Sequence, residues 1–139
     1  MIHMEFIVQN WVLIAGICFV IFMLLFEPLR MRMSGIETAT VFDAVSLSNH
    51  EDAIFVDVRE KKEITGGIIN GAYQVPLSSF EKSATQLDKL TDKPVIVYCR
   101  SGNRSINAAG KLKKKGFNRV YNLTGGILAW QKEKLPLES

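Results

Sequence analysis

The sequence predicts an α/β fold, a small parallel sheet flanked by helices, preceded by one N-terminal transmembrane helix. Short apolar strands alternate with helical segments, which is typical of a parallel sheet covered on both faces. Residues 6–26 carry no charged side chain. We therefore expect an N-terminal transmembrane helix in residues 1–27, a linker over 28–37 and a series of strands and helices forming one domain over 38–139.

The apolar run over residues 6–26 has the length of a membrane span. Its 21 residues would form a helix about 31 Å long, close to the hydrocarbon thickness of a bilayer. Trp11 lies near one end, and Glu27-Pro28 follows the other. We therefore expect these residues to contact a lipid bilayer.

A signal peptide or a buried core helix fits the run less well. A cleaved signal peptide would have a basic start and a small-residue cleavage site. The first five residues instead contain Glu5 and no Lys or Arg, and residues 23–26 read Met-Leu-Leu-Phe. A buried core helix is usually shorter and striped with polar positions, whereas Gln9 and Asn10 both fall at the outer end.

Flanking charge predicts the orientation of the span. Arg30 and Arg32 follow it, and no Lys or Arg precedes it, so the domain should lie on the cytoplasmic face of the inner membrane. That compartment is reducing, which suits a free thiol at Cys99. Cys18 falls within the span, so we expect no disulfide between the two cysteines.

The first half of the domain carries three predicted strands and one helix. Residues 38–40 suggest a short strand, and residues 42–47 a short helix. Residues 54–58 are apolar and β-branched, as in a buried strand. Asn70-Gly71 signals a turn, so the next strand is expected near Tyr73. The helix should turn three side chains inward: Phe42, Val45 and Leu47.

A helix and the central strand come next. Ser78 or Ser79 can cap a helix over residues 80–90. Four of its apolar residues have close to helical spacing: Phe80, Ala84, Leu87 and Leu90. Pro94 then precedes residues 95–98, Val-Ile-Val-Tyr, which predict a short buried strand.

The last elements follow the same alternation. The segment from Ser105 contains good helix formers, and Gly116 stands where the helix should stop. Residues 120–123 predict another short strand. Gly125-Gly126 opens a final helix whose apolar surface comes from Ile127, Leu128 and Trp130, and Pro136 ends it.

The six residues Cys99 to Arg104 join the central strand to the next helix and carry the candidate chemistry. A cysteine at this place faces unpaired N–H groups and the positive end of the helix dipole. Arg100 and Arg104 add positive charge. Such surroundings lower a thiol pKa and favour the nucleophilic thiolate. The same groups can hold an anion, and ligand sites in parallel sheets lie beyond the strand ends.

A buried structural cysteine is the alternative interpretation of Cys99, because free cysteines are often buried and inert. Gly102 and Asn103 are turn formers placed beside two arginines. A purely structural loop has no evident use for that much positive charge around one thiol. We therefore favour the catalytic interpretation.

Charge and residue composition limit the kinds of molecule that the chain is expected to bind. The net charge of +3 is too mild to indicate nucleic acid. Lys111 and residues 113–115 are typical of a solvated helix face, with contact to anionic lipid or an acidic partner as the sharper alternative. His3 and His50 lie in no motif, no metal-ligand spacing is present, and we expect neither a metal nor a cofactor.

Taken together, the motifs of the chain resemble a single rhodanese domain, over residues 36–137 or about three quarters of the chain. Any one piece is weak, but they come in the order and at the spacing of the family. With the N-terminal apolar run, the whole resembles the small membrane-anchored rhodaneses of bacteria. The pieces are Asp57-Val-Arg59 with Glu63, Gly67 to Ala72, Pro76, Cys99 to Ser105, Gly116-Phe117, and Leu123 to Gly126 with Ala129-Trp130.

The resemblance implies transfer of sulfane sulfur. Cys99 would attack the outer sulfur of a donor, thiosulfate or a persulfidated protein, and pass the sulfur to a thiol acceptor. Asp57 and Arg59 would lie beside the loop in support, with Arg59 and Glu63 as a structural ion pair. A membrane protein is a further candidate partner. The substrate would be held by the rest of the loop: Arg100, Ser101, Gly102, Asn103, Arg104 and Ser105.

One departure and two rival functions accompany the resemblance. Relatives usually have histidine where this chain has Ile68, which removes a titrating neighbour but no step of the chemistry. A cysteine phosphatase needs five residues between its cysteine and arginine, whereas four separate Cys99 from Arg104. A non-catalytic rhodanese-like docking or regulatory module of a membrane complex is the second alternative.

Overall fold

The computed structural model describes residues 3–33 and 35–138, and for residues 27–33 the backbone alone. The chain divides into two compact units, residues 1–34 and residues 35–139.

The N-terminal unit consists of two helices, α1 (Met4–Gln9) and α2 (Trp11–Met33). Asn10 separates them, and its side-chain Nδ2 donates to the carbonyl of Phe6 at 2.9 Å. Such local side-chain bonds compete with the helical pattern. Within the described residues, none of the helices combines the length and the apolar character needed to traverse a membrane.

The helical unit differs from the prediction at both of its boundaries. The run expected to be one helix over residues 6–26 is divided at Asn10. Helix α2 then passes Glu27-Pro28, where a linker was expected to begin, and ends at Met33. A proline inside a helix removes one backbone donor and crowds the preceding turn, which can kink the helix without ending it. The side chains of Arg30 and Arg32 lie outside the described residues.

A five-stranded parallel sheet forms the centre of the second unit, in the order β1-β5-β4-β2-β3. The predicted α/β class, with a parallel sheet flanked by helices, is confirmed. Strand β4 is central because it pairs with β5 on one side and β2 on the other. The strands are β1 (Glu37–Ala39), β2 (Ile54–Asp57), β3 (Tyr73–Gln74), β4 (Val95–Tyr98) and β5 (Val120–Leu123).

Four helices and three 3₁₀ segments complete the domain. The helices are α3 (Val41–Glu51), α4 (Phe80–Ser83), α5 (Asn103–Lys114) and α6 (Gly126–Lys132). The 3₁₀ segments are Lys61–Gly66, Leu77–Ser79 and Ala84–Leu87.

The core consists of two apolar clusters. Successive residues of a strand belong alternately to one cluster and to the other. In β4, Val95 and Val97 belong to one cluster, and Ile96 and Tyr98 to the other. This period of two follows from the pleat of a strand. Cys99 continues the first series, in the cluster that also contains the buried side chains of α5. The sheet therefore directs Cys99 towards α5.

Two predicted helices differ in detail from the structure. Thr40 and Asp43 form a reciprocal capping box at the start of α3. The helix therefore buries Val41 and Ala44, whereas Phe42, expected to point inward, is 68% exposed. The helix expected over residues 80–90 is short α4 followed by a 3₁₀ segment.

Side-chain hydrogen bonds account for the early end of α4. Thr85 Oγ1 donates to the carbonyl of Lys82 at 2.8 Å, and Gln86 Nε2 donates to that of Ser83 at 2.9 Å. These carbonyls would otherwise serve the next helical turn. In α6, Ile127 and Trp130 are buried as expected, but Leu128 is exposed.

We predict that Tyr98→Phe lowers the free energy of unfolding by about 1–3 kcal/mol, the cost of a buried donor left unpaired. Tyr98 is fully buried, and its hydroxyl accepts a hydrogen bond from the backbone N–H of Ile69 at 3.2 Å. Urea denaturation followed by Trp130 fluorescence, in a Trp11→Phe background, measures the change. Tyr121→Phe is the control, because its hydroxyl bonds to Arg119 at an exposed place. An equal, small loss in both variants would contradict the role of Tyr98.

Candidate active site

Cys99 lies directly after β4, at the carboxyl end of the central strand, and α5 begins four residues later at Asn103. Its side chain is buried, with 1% of the residue exposed. The surroundings of the sulfur are polar all the same. The backbone N–H of Gly102 donates to Sγ at 3.1 Å, and Ser105 Oγ lies 3.5 Å from Sγ. Cys99 is therefore buried but not simply a packing residue.

Three carbonyls of the loop are bound on its outer side. The backbone N–H of Ile127 donates to the Cys99 carbonyl at 2.9 Å, and that of Leu128 donates to the Arg100 carbonyl at 3.2 Å. Asn122 Nδ2 donates to the Gly102 carbonyl at 3.1 Å. Both Ile127 and Leu128 belong to the first turn of α6, whose N–H groups have no partner within the helix.

The bonds to these three carbonyls also fix the direction of the N–H groups in the same peptides. In a trans peptide the C=O and the following N–H point in opposite directions. The bonds to Cys99, Arg100 and Gly102 therefore direct the N–H groups of Arg100, Ser101 and Asn103 away from α6 and Asn122. The Ser101 N–H is one of the backbone donors to the sulfur, together with those of Gly102 and Ser105. These three N–H groups form a donor ring at Sγ, as in other backbone anion sites.

Two glycines allow this close approach. A Cβ on Gly126 would collide with the Cys99 carbonyl oxygen and would lie 2.6 Å from that of Arg100. Gly102 has φ +103°, a left-handed conformation that other residues rarely adopt. A side chain at Gly126 would push α6 away from the loop and release the two carbonyls.

The pKa of the Cys99 thiol is lowered from its ordinary value. Burial raises it, but hydrogen bonds outweigh burial: one from the Ser105 hydroxyl and three from the backbone N–H groups of Ser105, Gly102 and Ser101. Donors that bond to the charged form favour that form. The site therefore favours the thiolate, which is the nucleophilic form of a cysteine.

Arg104 is held in a bidentate ion pair by Glu63, with N–O distances of 2.7 and 2.8 Å. The Arg104 hydrogen bond and the backbone N–H of Glu60 lower the pKa of Glu63 to about 2. Glu63 in turn raises the pKa of Arg104, and the negative charge of Cys99 adds to that effect. Arg104 is thus close enough to sense the thiolate, but its guanidinium is engaged by a carboxylate.

Asp57 and Arg59 form a buried ion pair beside the loop. Arg59 Nη2 lies 2.8 Å from Asp57 Oδ2 and also donates to the Gly67 carbonyl at 2.9 Å. The expected ion pair between Arg59 and the Glu63 carboxylate is wrong, because that carboxylate binds Arg104. Arg59 reaches only the backbone carbonyl of Glu63, at 3.4 Å. Arg59 therefore anchors the segment that carries Glu63.

The remaining predicted site residues line the loop in different ways. Arg100, Ser101 and Asn103 expose their side chains, and of the three the Ser101 backbone N–H donates to the sulfur. Gly102 and Ser105 are buried next to the sulfur. The loop thus joins a buried donor ring to an exposed rim that carries the Arg100 guanidinium.

Sequence reasoning did not single out Asn122. It is 5% exposed, and Oδ1 accepts a hydrogen bond from the Ser105 hydroxyl while Nδ2 serves the Gly102 carbonyl. A polar residue between Val120 and Leu123, in an otherwise buried strand, is the signal that could have found it. Among the described residues, no group of His, Cys, Asp and Glu side chains could hold a metal ion.

Comparisons with known proteins agree on one family. The model of the family described as Rhodanese-like domain matches residues 41–133. A protein of Allochromatium vinosum named "Sulfurtransferase" is 41% identical over 91 residues, 66% of this chain and 83% of the relative. "Thiosulfate sulfurtransferase GlpE" of Glaesserella parasuis is 36% identical over 95 residues, 68% of this chain and 86% of the relative.

A solved structure extends the agreement to three dimensions. The crystal structure of a rhodanese-related protein from Thermoplasma volcanium superposes with a TM-score of 0.64 at 30% sequence identity. The match covers 73% of this chain and 96% of that protein. With a family model that spans most of the domain, a cysteine at the end of the central strand and relatives named sulfurtransferases, the chain belongs to the rhodanese-like domain family.

Proposed function

We propose that the chain is a sulfurtransferase that carries sulfane sulfur as a persulfide on Cys99. The observation that supports this most is the donor ring around Sγ, in which the Gly102 N–H lies 3.1 Å from the sulfur. Such a ring stabilises a negative charge on sulfur, which a thiolate and a persulfide anion both carry. The donor is thiosulfate or a protein persulfide, and the acceptor is a thiol.

The first half-reaction makes the persulfide. The Cys99 thiolate attacks the outer sulfur of thiosulfate, a new S–S bond forms, and the bond from that sulfur to the sulfonate group breaks. The electron pair of the broken bond leaves with sulfite. One negative charge stays on the terminal sulfur of Cys99, where the amides of the loop can receive it.

The second half-reaction returns the enzyme. An acceptor thiolate attacks the terminal sulfur, and the bond between that sulfur and Cys99 breaks with its electron pair on Cys99 Sγ. The acceptor leaves as a persulfide, and the thiolate is restored. The lowered pKa of the Cys99 thiol makes it a good leaving group in this step as well as a populated nucleophile in the first.

The geometry favours sulfur over phosphate chemistry. Four residues separate Cys99 from Arg104, so the ring has one residue fewer than phosphoryl transfer by a cysteine phosphatase needs. A docking module without catalysis would have no need of a lowered thiol pKa.

We predict that Cys99→Ser abolishes formation of thiocyanate from thiosulfate and cyanide, because serine cannot accept sulfane sulfur under these conditions. Mass spectrometry of the wild-type chain treated with donor should show the mass of one added sulfur on the peptide that contains Cys99. Cys18→Ser is the matched control and should retain both signals. Equal thiocyanate rates in wild type and Cys99→Ser would refute the enzyme and favour the docking module.

Arg104 and Glu63 should control the use of anionic donors. We predict that Arg104→Ala raises the KM for thiosulfate about tenfold, the loss of roughly 1.4 kcal/mol of binding. Glu63→Gln should lower that KM several-fold, because Arg104 then keeps its full charge for the donor.

Steady-state kinetics are measured with thiosulfate and with a small persulfide whose organic group carries no charge. An effect of donor charge should appear with thiosulfate only, whereas a general loss of activity should appear with both donors. The thermal midpoint of each variant is measured alongside. A rise of KM in Glu63→Gln equal to that in Arg104→Ala would show that the ion pair itself, not a free Arg104, serves the donor.

We further propose that residues 6–26 attach the protein to a lipid bilayer, with the domain on the cytoplasmic face. These residues have no charged side chain, and large apolar side chains from Phe6 to Phe26 are exposed. An exposed apolar surface of this extent favours lipid or protein contact over water. Arg30 and Arg32 follow the segment, which supports the inward orientation.

We predict that the full chain sediments with membranes and resists alkaline carbonate extraction. Placing two charges in the segment, Ile17→Lys with Val20→Glu, should release it, since charged side chains are costly in hydrocarbon. Phe42→Lys, an exposed apolar position of the domain, is the control and should stay bound. Protease should cut the domain in inverted vesicles only. Wild-type protein in the soluble fraction would exclude the attachment, and cleavage from outside would reverse the orientation.

A further inference from the structure

The position of Asn122 in β5 explains why its side chain lies in the site. It is the third residue of β5, next to the central strand, and alternation places it on the face of the sheet that also carries Val120 and Cys99. An amide side chain on this face would otherwise be an unfavourable polar group in an apolar cluster. Both ends of the Asn122 amide are instead satisfied, by Gly102 and Ser105.

The orientation of the Asn122 amide follows from its partners. The Gly102 carbonyl can only accept, so the NH₂ end must face it. The oxygen end must then face Ser105, whose hydroxyl donates to it. That hydroxyl has a single proton, and Sγ of Cys99 lies 3.5 Å from the same oxygen. Asn122 and a charged sulfur therefore compete for one proton.

We propose that Asn122 is a positioning residue for sulfur transfer, which aims the Asn103 N–H at the sulfur by holding the Gly102 carbonyl outward. The first turn of α6 does the same for the Cys99 and Arg100 carbonyls. Asn122 completes the series at the one carbonyl of the three that α6 does not bind. Its oxygen end also holds the Ser105 hydroxyl ready to turn to Sγ when charge develops there.

This inference rests on the proposed function for its catalytic meaning, but its geometry can be tested without any sulfur donor. The variant Asn122→Asp keeps the size of the side chain and an acceptor for Ser105. It loses the NH₂ donor, and its oxygen would repel the Gly102 carbonyl. The peptide between Gly102 and Asn103 should then rotate, and the Asn103 N–H should turn away from the sulfur.

The experiment follows Cys99 ionisation in the full chain in a Cys18→Ser background, by the pH dependence of iodoacetamide alkylation and by ¹⁵N NMR. In the parent chain, the Asn103 amide resonance should titrate together with those of Ser101 and Gly102. In Asn122→Asp, the pH midpoint of alkylation should rise by about one unit. At a pH below the midpoint, the fraction of Cys99 present as thiolate should then be tenfold lower. The Asn103 amide should stop titrating while Ser101 and Gly102 continue to respond.

The control is Tyr121→Phe, the neighbouring residue on the opposite face of β5, which should change neither signal. A parent chain in which the Asn103 amide does not follow Cys99 overturns the assignment, and this arm needs no variant to fold. An Asn122→Asp chain whose Asn103 amide still titrates as in the parent also overturns it. If donor treatment leaves no sulfur on Cys99, the proposed function fails, while these titrations still decide the role of Asn122.

Discussion

The site depends on where the carbonyls of one short loop are bound. The carbonyls of Cys99 and Arg100 accept hydrogen bonds from the first turn of α6, and that of Gly102 accepts one from Asn122. Because peptides are rigid and planar, these bonds turn the N–H groups of the same peptides away from α6 and Asn122, and one of them, that of Ser101, donates to the sulfur. Burial raises the pKa of the Cys99 thiol, but hydrogen bonds from the Ser105 hydroxyl and from the N–H groups of Ser105, Gly102 and Ser101 lower it overall. The groups that contact the charged sulfur are therefore mainly backbone N–H groups and not arginine side chains.

Several distant parts of the chain meet to make this possible. The central strand brings Cys99 to the carboxyl end of the sheet, and β5 brings Asn122 to the same face. Gly126 lets α6 approach the loop. The Asp57–Arg59 pair anchors the segment of Glu63, which holds Arg104 at the rim. Under the proposed function, the partly exposed rim would meet the donor, and the buried amides would hold the negative charge on sulfur.

Patterns local in sequence predicted much of this. Runs of apolar, β-branched residues located the strands, and the loop from Cys99 to Ser105 was recognised from its residue types. Contacts between distant segments were not predictable in the same way. Arg104 was expected to face the donor, but its partner Glu63 lies 41 residues earlier. Phe42 was placed inward because the capping box that sets the start of α3 was not recognised. Asn122 has a clear role only once β5 lies beside β4.

The most direct test of this arrangement is a crystal structure of the chain after treatment with a sulfur donor. We expect a second sulfur atom bonded to Cys99 Sγ, within hydrogen-bond distance of loop N–H groups, with the carbonyls of Cys99, Arg100 and Gly102 still bound outward. A terminal sulfur that points away from the amides, or a loop whose carbonyls turn inward around it, would contradict the donor ring as the basis of the site.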